Sequence, residues 1–155
     1  MLLKWQKFQQ QPRSAQTLVL QALFTFPIVA LGIRWFGFNR TQIAIERFAA
    51  APDVSGRDFR ESWPLVQETA RMVQAASDHG PLRGNCLCRS LVLWWLLRRQ
   101  VIPSDLRIVV SKSEGRFEAH ACVEWLGNAL NDLGNVRERF AAFERPISAA
   151  GAEFK

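Results

Sequence analysis

Residue types that carry chemistry or covalent structure are scarce in this chain of 155 residues. It contains no tyrosine, two histidines and three cysteines. Three cysteines cannot all pair, and we find no secretory signal with a cleavage site, so we expect reduced thiols in a cytoplasmic protein. The two histidines, His79 and His120, leave little choice for a general base.

The charge is basic but has no pattern typical of nucleic-acid binding. The formal net charge is +6, and the 20 basic residues are scattered among 14 acidic ones. The densest basic pair, Arg98-Arg99, ends an apolar segment, where cations complement a helix C-terminus. No nucleic-acid motif accompanies the charge, so we expect a solvated surface and no nucleic-acid partner.

The most apolar stretch, residues 17–38, predicts a helix that contacts protein or lipid. A membrane span needs about 20 apolar residues. Gln21, Pro27 and Arg34 interrupt this stretch, so it fits a span poorly. We expect a core helix kinked at Pro27 or a helix resting on a membrane surface, and we favour the protein contact.

Three further segments predict helices. Residues 41–51 are typical of a short helix capped by Thr41, and residues 64–76 of a helix with Pro64 in its first turn. Residues 86–99 are apolar nearly all round, which indicates a buried helix.

The pattern changes from helices to strands in the second half of the chain. The strand-like runs cover residues 106–111, 116–126 and 129–132. Helices followed by an antiparallel meander predict an α+β fold. We expect an N-terminal helical region over residues 1–83 and a core region over residues 84–155, which together form one compact domain.

Cys86 is the candidate nucleophile. It follows Asn85, a favoured N-cap, which predicts that Cys86 lies in the first turn of the buried helix. A thiolate is stabilised there, and the same N–H groups can hold an oxyanion. Cys88 is rotated from Cys86 by about 200°, so we assign Cys88 to the core. A buried structural cysteine is the alternative interpretation of Cys86.

His120 is the candidate base, and Asp132 is the candidate carboxylate beside it. His79 lies in a polar loop, where we expect it to be exposed. His120 lies in an apolar strand, where a charge is costly without a partner. Asp132 follows the next hairpin turn and can orient the imidazole. A core histidine bonded to backbone is the alternative.

The hairpin between His120 and Asp132 decides whether they share a face of the sheet. A two-residue turn at residues 127–128 sends Asp132 to the face away from His120. A three-residue loop at residues 126–128 pairs Asp132 with Cys122, on the same face as His120. The triad therefore predicts a loop with an odd number of residues.

Metal binding is the competing chemistry. Its nominal ligands are Cys86, Cys88, His120 and Cys122. Helix geometry separates the first two, and neither C-x-C nor H-x-C has ordinary zinc spacing. We therefore expect no metal and no other cofactor.

Four stretches resemble a known family: residues 85–99 (NCLCRSLVLWWLLRR), residues 102–108 (IPSDLRI), residues 117–125 (FEAHACVEW) and Asn131-Asp132. They are similar to the lasso-peptide leader peptidases, which are stand-alone maturation proteases of the bacterial transglutaminase-like superfamily. Members carry a Cys-Leu-x-Arg/Gln-Ser/Ala-Leu motif, a His-Ala-Trp-Val-Glu strand and a following Asp.

The resemblance implies a role for each matching residue. It makes Cys86 the nucleophile, His120 the base and Asp132 the orienting carboxylate. It also implies a transglutaminase-like, papain-like core, with the nucleophile helix packed on a small antiparallel sheet. Cys122 stands where the family has Trp, which opens space beside His120. Residues 100–101 replace the usual Gly, so we expect no left-handed glycine cap.

The function implied is removal of the leader from a ribosomally made lasso precursor peptide, cut at the leader–core junction. A separate recognition protein delivers the leader, and an ATP-dependent macrolactam cyclase then closes the freed core. Two alternatives stay open: an acyltransferase of transglutaminase type with the same triad, and a non-catalytic binding module. Peripheral contact with the inner membrane also stays open.

Overall fold

The computed structural model describes residues 13–49, 59–80, 85–113, 116–131 and 141–142. These parts contain α1 (Arg13–Phe48), α2 (Phe59–His79), α3 (Cys86–Arg99), β1 (Asp105–Ser113), β2 (Arg116–Trp125), β3 (Asn128–Ala129) and β4 (Ala141–Ala142). The strands form an antiparallel sheet in the order β3-β2-β1-β4. The predicted α+β class is confirmed.

α3 is the central element, and it is buried as predicted. A helix without a polar face must be covered on all sides. Its Leu93 belongs to a core cluster that includes Phe26 of α1, Val66 of α2 and Val123 of β2. The other helices and the sheet therefore hold α3 between them, which fixes the direction in which its N-terminus points.

α1 bends sharply at a glycine and not at the predicted proline. Helical dihedrals continue through Pro27, whereas Gly37 has φ 79° and ψ 172°, a combination that is essentially restricted to glycine. A Cβ on Gly32 would lie 3.1 Å from Thr41 Oγ1, although a straight helix separates such residues by about 13 Å. The prediction of a cap at Thr41 is also wrong, because its hydroxyl donates to the Gly37 carbonyl within the second arm of α1.

α2 is longer than predicted at both ends. It begins at Phe59, so Pro64 lies inside the helix and not in its first turn. It continues to His79, whose side chain is exposed as predicted. The Nδ1 atom of His79 lies 3.0 Å from the carbonyl oxygen of Ala75.

A two-residue turn joins β2 to β3, so the prediction of an odd-numbered loop is wrong. Trp125 pairs with Asn128, and the turn residues Leu126 and Gly127 have φ 46° and 79°. Two positive φ values give a turn that follows the right-handed twist of the strands. β3 is only two residues long and ends at Ala129. Asp132 lies outside the described residues.

The C-terminus of α3 keeps a left-handed cap without the glycine. Val101 has φ 59°, and its N–H donates to the carbonyl of Arg98 at 2.9 Å. The N–H of Ile102 donates to the carbonyl of Leu97 at 3.0 Å. These two bonds form a Schellman motif. Its left-handed residue is β-branched, which strains the backbone.

Candidate active site at the start of α3

The first turn of α3 is capped as predicted. Asn85 has extended dihedrals, and its Oδ1 accepts the N–H of Cys88 at 2.8 Å. Cys86 is half-buried, whereas Cys88 is buried in the core. Burial raises the pKa of the Cys88 thiol, because a thiolate is poorly solvated there. Of these two thiols, Cys86 is the more exposed.

The helix presents backbone donors beside Cys86. The first N–H groups of a helix point out of its N-terminal end. The Asn85 side chain accepts one of them, the N–H of Cys88, whereas the N–H of Arg89 donates to the Asn85 carbonyl as the first regular bond of the helix. The amides of Cys86 and Leu87 come before these two. The first turn carries no acidic side chain, so no carboxylate of that turn offsets the positive end of the helix dipole.

One hydroxyl links the start of α3 to β2. The Oγ of Ser90 lies 2.8 Å from the carbonyl oxygen of Cys86 and 2.7 Å from that of Ala121. A hydroxyl has one proton, so the two carbonyls share it. Because Ala121 follows His120 directly, this contact brings the turn that carries Cys86 next to the strand position of His120.

Asn131 completes the connection. Its Nδ2 donates to Ser90 Oγ at 2.7 Å, and its Oδ1 accepts the N–H of Val123 at 2.8 Å. The Asn131 side chain therefore continues the bonding of β2 past the end of β3. All of these groups are buried, where an unpaired polar atom is costly. α3, β2 and the residue just before Asp132 thus meet in one hydrogen-bonded network.

The face of β2 that carries His120 is partly polar. Side chains alternate along a strand, so His120 shares its face with Cys122 and Glu124. Cys122 is buried, and Glu124 forms an ion pair with Arg107 of β1. His120 itself is half-buried.

Two of the three predicted catalytic residues can be located. Cys86 and His120 lie in neighbouring parts of the molecule, whereas Asp132 lies outside the described residues, so its role stays a prediction. Sequence reasoning assigned no role to Ser90 or Asn131. One sequence feature could have indicated a role for Ser90. It is a polar residue in an otherwise apolar stretch of α3, where a buried hydroxyl needs a hydrogen-bond partner.

Comparison with known proteins identifies a family. The family model of the transglutaminase-like superfamily matches residues 28–145. This range contains α2, α3 and the described sheet, together with Cys86, His120 and Asp132. No curated protein and no solved structure matches the chain.

Proposed function

We propose that this chain, which belongs to the transglutaminase-like superfamily, is a cysteine protease that removes the leader from a lasso precursor peptide. Superfamily membership supports cysteine-protease or transglutaminase-type chemistry. The observation that carries the proposal is the capped, half-buried Cys86, joined through Ser90 to the strand position of His120. The lasso assignment is supported by the resemblance of residues 85–99 and 117–125.

The proposed reaction begins with transfer of the Cys86 proton to His120. The thiolate then attacks the scissile carbonyl carbon, and the amides of Cys86 and Leu87 stabilise the oxyanion that forms. The imidazolium of His120 protonates the leaving amine as the C–N bond breaks, which leaves a thioester on Cys86. Water, deprotonated by His120, hydrolyses the thioester and restores the thiol. Asp132 is assigned the orientation of the imidazole.

The proposal includes partners that the resemblance implies. A separate recognition protein binds the leader and presents the leader–core junction, and an ATP-dependent cyclase closes the macrolactam on the released core. We therefore expect the chain alone to cleave its precursor slowly. In this proposal the protein acts in the cytoplasm and uses no metal or other cofactor.

Acyl transfer is a second candidate because the matched family is the transglutaminase-like superfamily. The thioester on Cys86 would then react with an amine in place of water. The same residues serve both reactions, so the acceptor decides between them.

The test is mass spectrometry of the precursor peptide after incubation with the protein, with and without the recognition protein. We expect wild type to release the leader and Cys86→Ala to leave the precursor intact. Cys88→Ala is the matched control, since it removes a thiol from the same helix turn without touching the proposed nucleophile. It should retain cleavage.

Two results would contradict the proposal. One is cleavage by Cys86→Ala at the wild-type rate. The other is an intact precursor in every reaction although circular dichroism shows folded protein and the recognition protein is present. Adding a primary amine to the wild-type reaction distinguishes the second candidate, because acyl transfer gives a product with the mass of an amine adduct.

A further inference from the structure

α1 carries an apolar surface that the rest of the described chain leaves exposed. The large side chains at three- and four-residue spacing that form this surface, the α1 stripe, are Leu20, Phe24, Ile28, Leu31 and Trp35. That spacing puts them along one side of a helix. The opposite side of α1, with Ala22, Phe26 and Val29, packs into the core. Contiguous exposed apolar surface on this scale marks an interaction site.

The break at Gly37 makes this surface part of an open groove. The α1 stripe forms one wall, and the second arm of α1 and the end of α3 form the other, around a volume of about 960 Å³. Arg40 and Arg99 line the groove, and no carboxylate is among the lining residues that the structure describes. An occupant that matches these walls is apolar and carries negative charge.

An anionic lipid bilayer fits these features better than a partner protein does. The largest apolar side chains project outward and are not recessed: Phe24 is 72% exposed, Trp35 70% and Phe48 79%. Projecting aromatic residues on a helix with a basic edge are typical of helices that lie in a membrane interface. Guanidinium groups bind phosphate oxygens with good geometry.

α1 does not suit a membrane crossing. The helix over Ser14–Phe48 is long and apolar enough to span a bilayer, and its most apolar 18-residue window has a mean hydropathy of 1.7. Its chain direction reverses near Gly37, however, and its inner side is packed against α2 and α3. A helix held in this way can lie on a bilayer but cannot pass through it without leaving the core.

We propose that α1 docks the protein on the surface of an anionic bilayer. The α1 stripe enters the boundary between headgroups and acyl chains, and Arg40 and Arg99 contact lipid phosphates. This proposal does not depend on the proposed peptidase activity, because none of these residues belongs to the network around Cys86.

The test is flotation of the full chain with vesicles of phosphatidylcholine, with and without phosphatidylglycerol. We expect wild type to float with the anionic vesicles and to detach as salt screens the headgroups. Phe24→Ser/Trp35→Ser should abolish flotation. Leu126→Ser is the matched control, since Leu126 is 60% exposed but lies in the β2–β3 turn. It should float like wild type.

The arginines are tested separately from the apolar side chains. Each basic residue at an anionic surface contributes a binding energy that corresponds to about a fivefold change in partition. Arg40→Gln/Arg99→Gln should therefore weaken partition into anionic vesicles about 25-fold. Arg71→Gln, an exposed arginine of α2 outside the groove, is the control and should cause a much smaller change.

Three outcomes would overturn the proposal, provided that circular dichroism shows each variant to be folded. The first is wild-type protein that stays unbound to anionic vesicles at low salt. The second is an equal loss of flotation in Leu126→Ser and in Phe24→Ser/Trp35→Ser. The third is wild-type protein that is dimeric without vesicles and becomes monomeric in Phe24→Ser/Trp35→Ser, which would make a second copy the occupant of the groove.

Discussion

Burial distinguishes Cys86 from the other two cysteines. Cys86 is half-buried, and Cys88 and Cys122 are buried. A raised pKa leaves Cys88 with a smaller thiolate fraction at any pH below that pKa, and the thiolate is the form that reacts.

We predict that iodoacetamide at neutral pH modifies Cys86 at least about ten times faster than Cys88. Labelling of Cys88 should become appreciable only at higher pH, because its pKa is raised. Mass spectrometry of proteolytic peptides over a time course measures both rates. Equal rates of modification of Cys86 and Cys88 at neutral pH would mean that the first turn of α3 opens to solvent.

Ser90 supports the site through three hydrogen bonds, and its removal should affect stability and turnover together. Ser90→Ala leaves the carbonyl of Ala121 and the amide of Asn131 without their partner. We expect a loss of about 1–3 kcal/mol in the free energy of unfolding. We also expect kcat for precursor cleavage to fall with little change in KM, because the turn that carries Cys86 loses its bond to β2.

A matched control separates the two effects. Thr69→Val removes another buried hydroxyl, which bonds to the carbonyl of Leu65 and to the side chain of Gln100. It should lower stability by a similar amount but leave kcat unchanged. A Ser90→Ala protein with wild-type kcat would show that Ser90 is purely structural.

The residue-scale predictions succeeded where short-range rules apply. Asn85 caps α3, and Cys88 faces the core, because both depend on helix geometry within one turn. The bond between Asn131 and Ser90 joins residues 41 apart in sequence. No local pattern encodes such a contact. The sequence therefore predicted the capped helix turn around Cys86, but not the bond between Ser90 and Asn131 that links α3 to the sheet.

At the scale of elements, Val101 is a site of backbone strain. A left-handed conformation costs a β-branched residue about 1–2 kcal/mol, whereas glycine adopts it freely. Replacing Val101 with glycine relieves this strain, but part of the resulting stabilisation is lost because glycine makes the unfolded chain more flexible. We predict that Val101→Gly raises the free energy of unfolding by about 1 kcal/mol, as measured by urea denaturation.

Gln100→Gly is the control for this prediction. Gln100 precedes Val101 but has φ −85°, so glycine relieves no strain there and removes the contact with Thr69. It should destabilise the protein. If Val101→Gly were as destabilising as Gln100→Gly, Val101 would not be left-handed in solution.

Element boundaries were predicted less well than element types, and the misplaced ones depend on tertiary contact. Pro27 was expected to kink α1, but the helix continues through it and breaks at Gly37. The break is accompanied by the close approach of Thr41 to Gly32, which periodicity does not reveal. The turn at Leu126 was misplaced for a different, local reason, because leucine is a poor indicator of positive φ.

At the scale of the whole molecule, the helices and the sheet share one core. The cluster that contains Leu93 draws on all three helices and on β2. Trp63 of α2 also stacks on Trp125 of β2, with ring centroids 5.3 Å apart. We propose that the N-terminal helical region over residues 1–83 and the core region over residues 84–155 form a single domain.

This proposal predicts a single cooperative unfolding transition. Urea curves from tryptophan fluorescence, to which all six tryptophans contribute, should coincide with those from far-ultraviolet circular dichroism, which senses mainly the helices. A fluorescence transition that precedes the loss of helix would instead indicate that the tertiary packing around the tryptophans is lost in a separate step.

The position of α1 in the chain has a consequence for synthesis on the ribosome. Among the described elements, those that cover the inner side of α1 all follow it in the chain. Phe26 and Val29 therefore stay uncovered by α2 and α3 until these helices have been synthesised. Roughly 50 further residues must be added, which takes several seconds at ordinary elongation rates of about 5–20 residues per second. During that interval both sides of α1 are uncovered. The nascent chain is then most exposed to aggregation and is a natural client for a ribosome-associated chaperone.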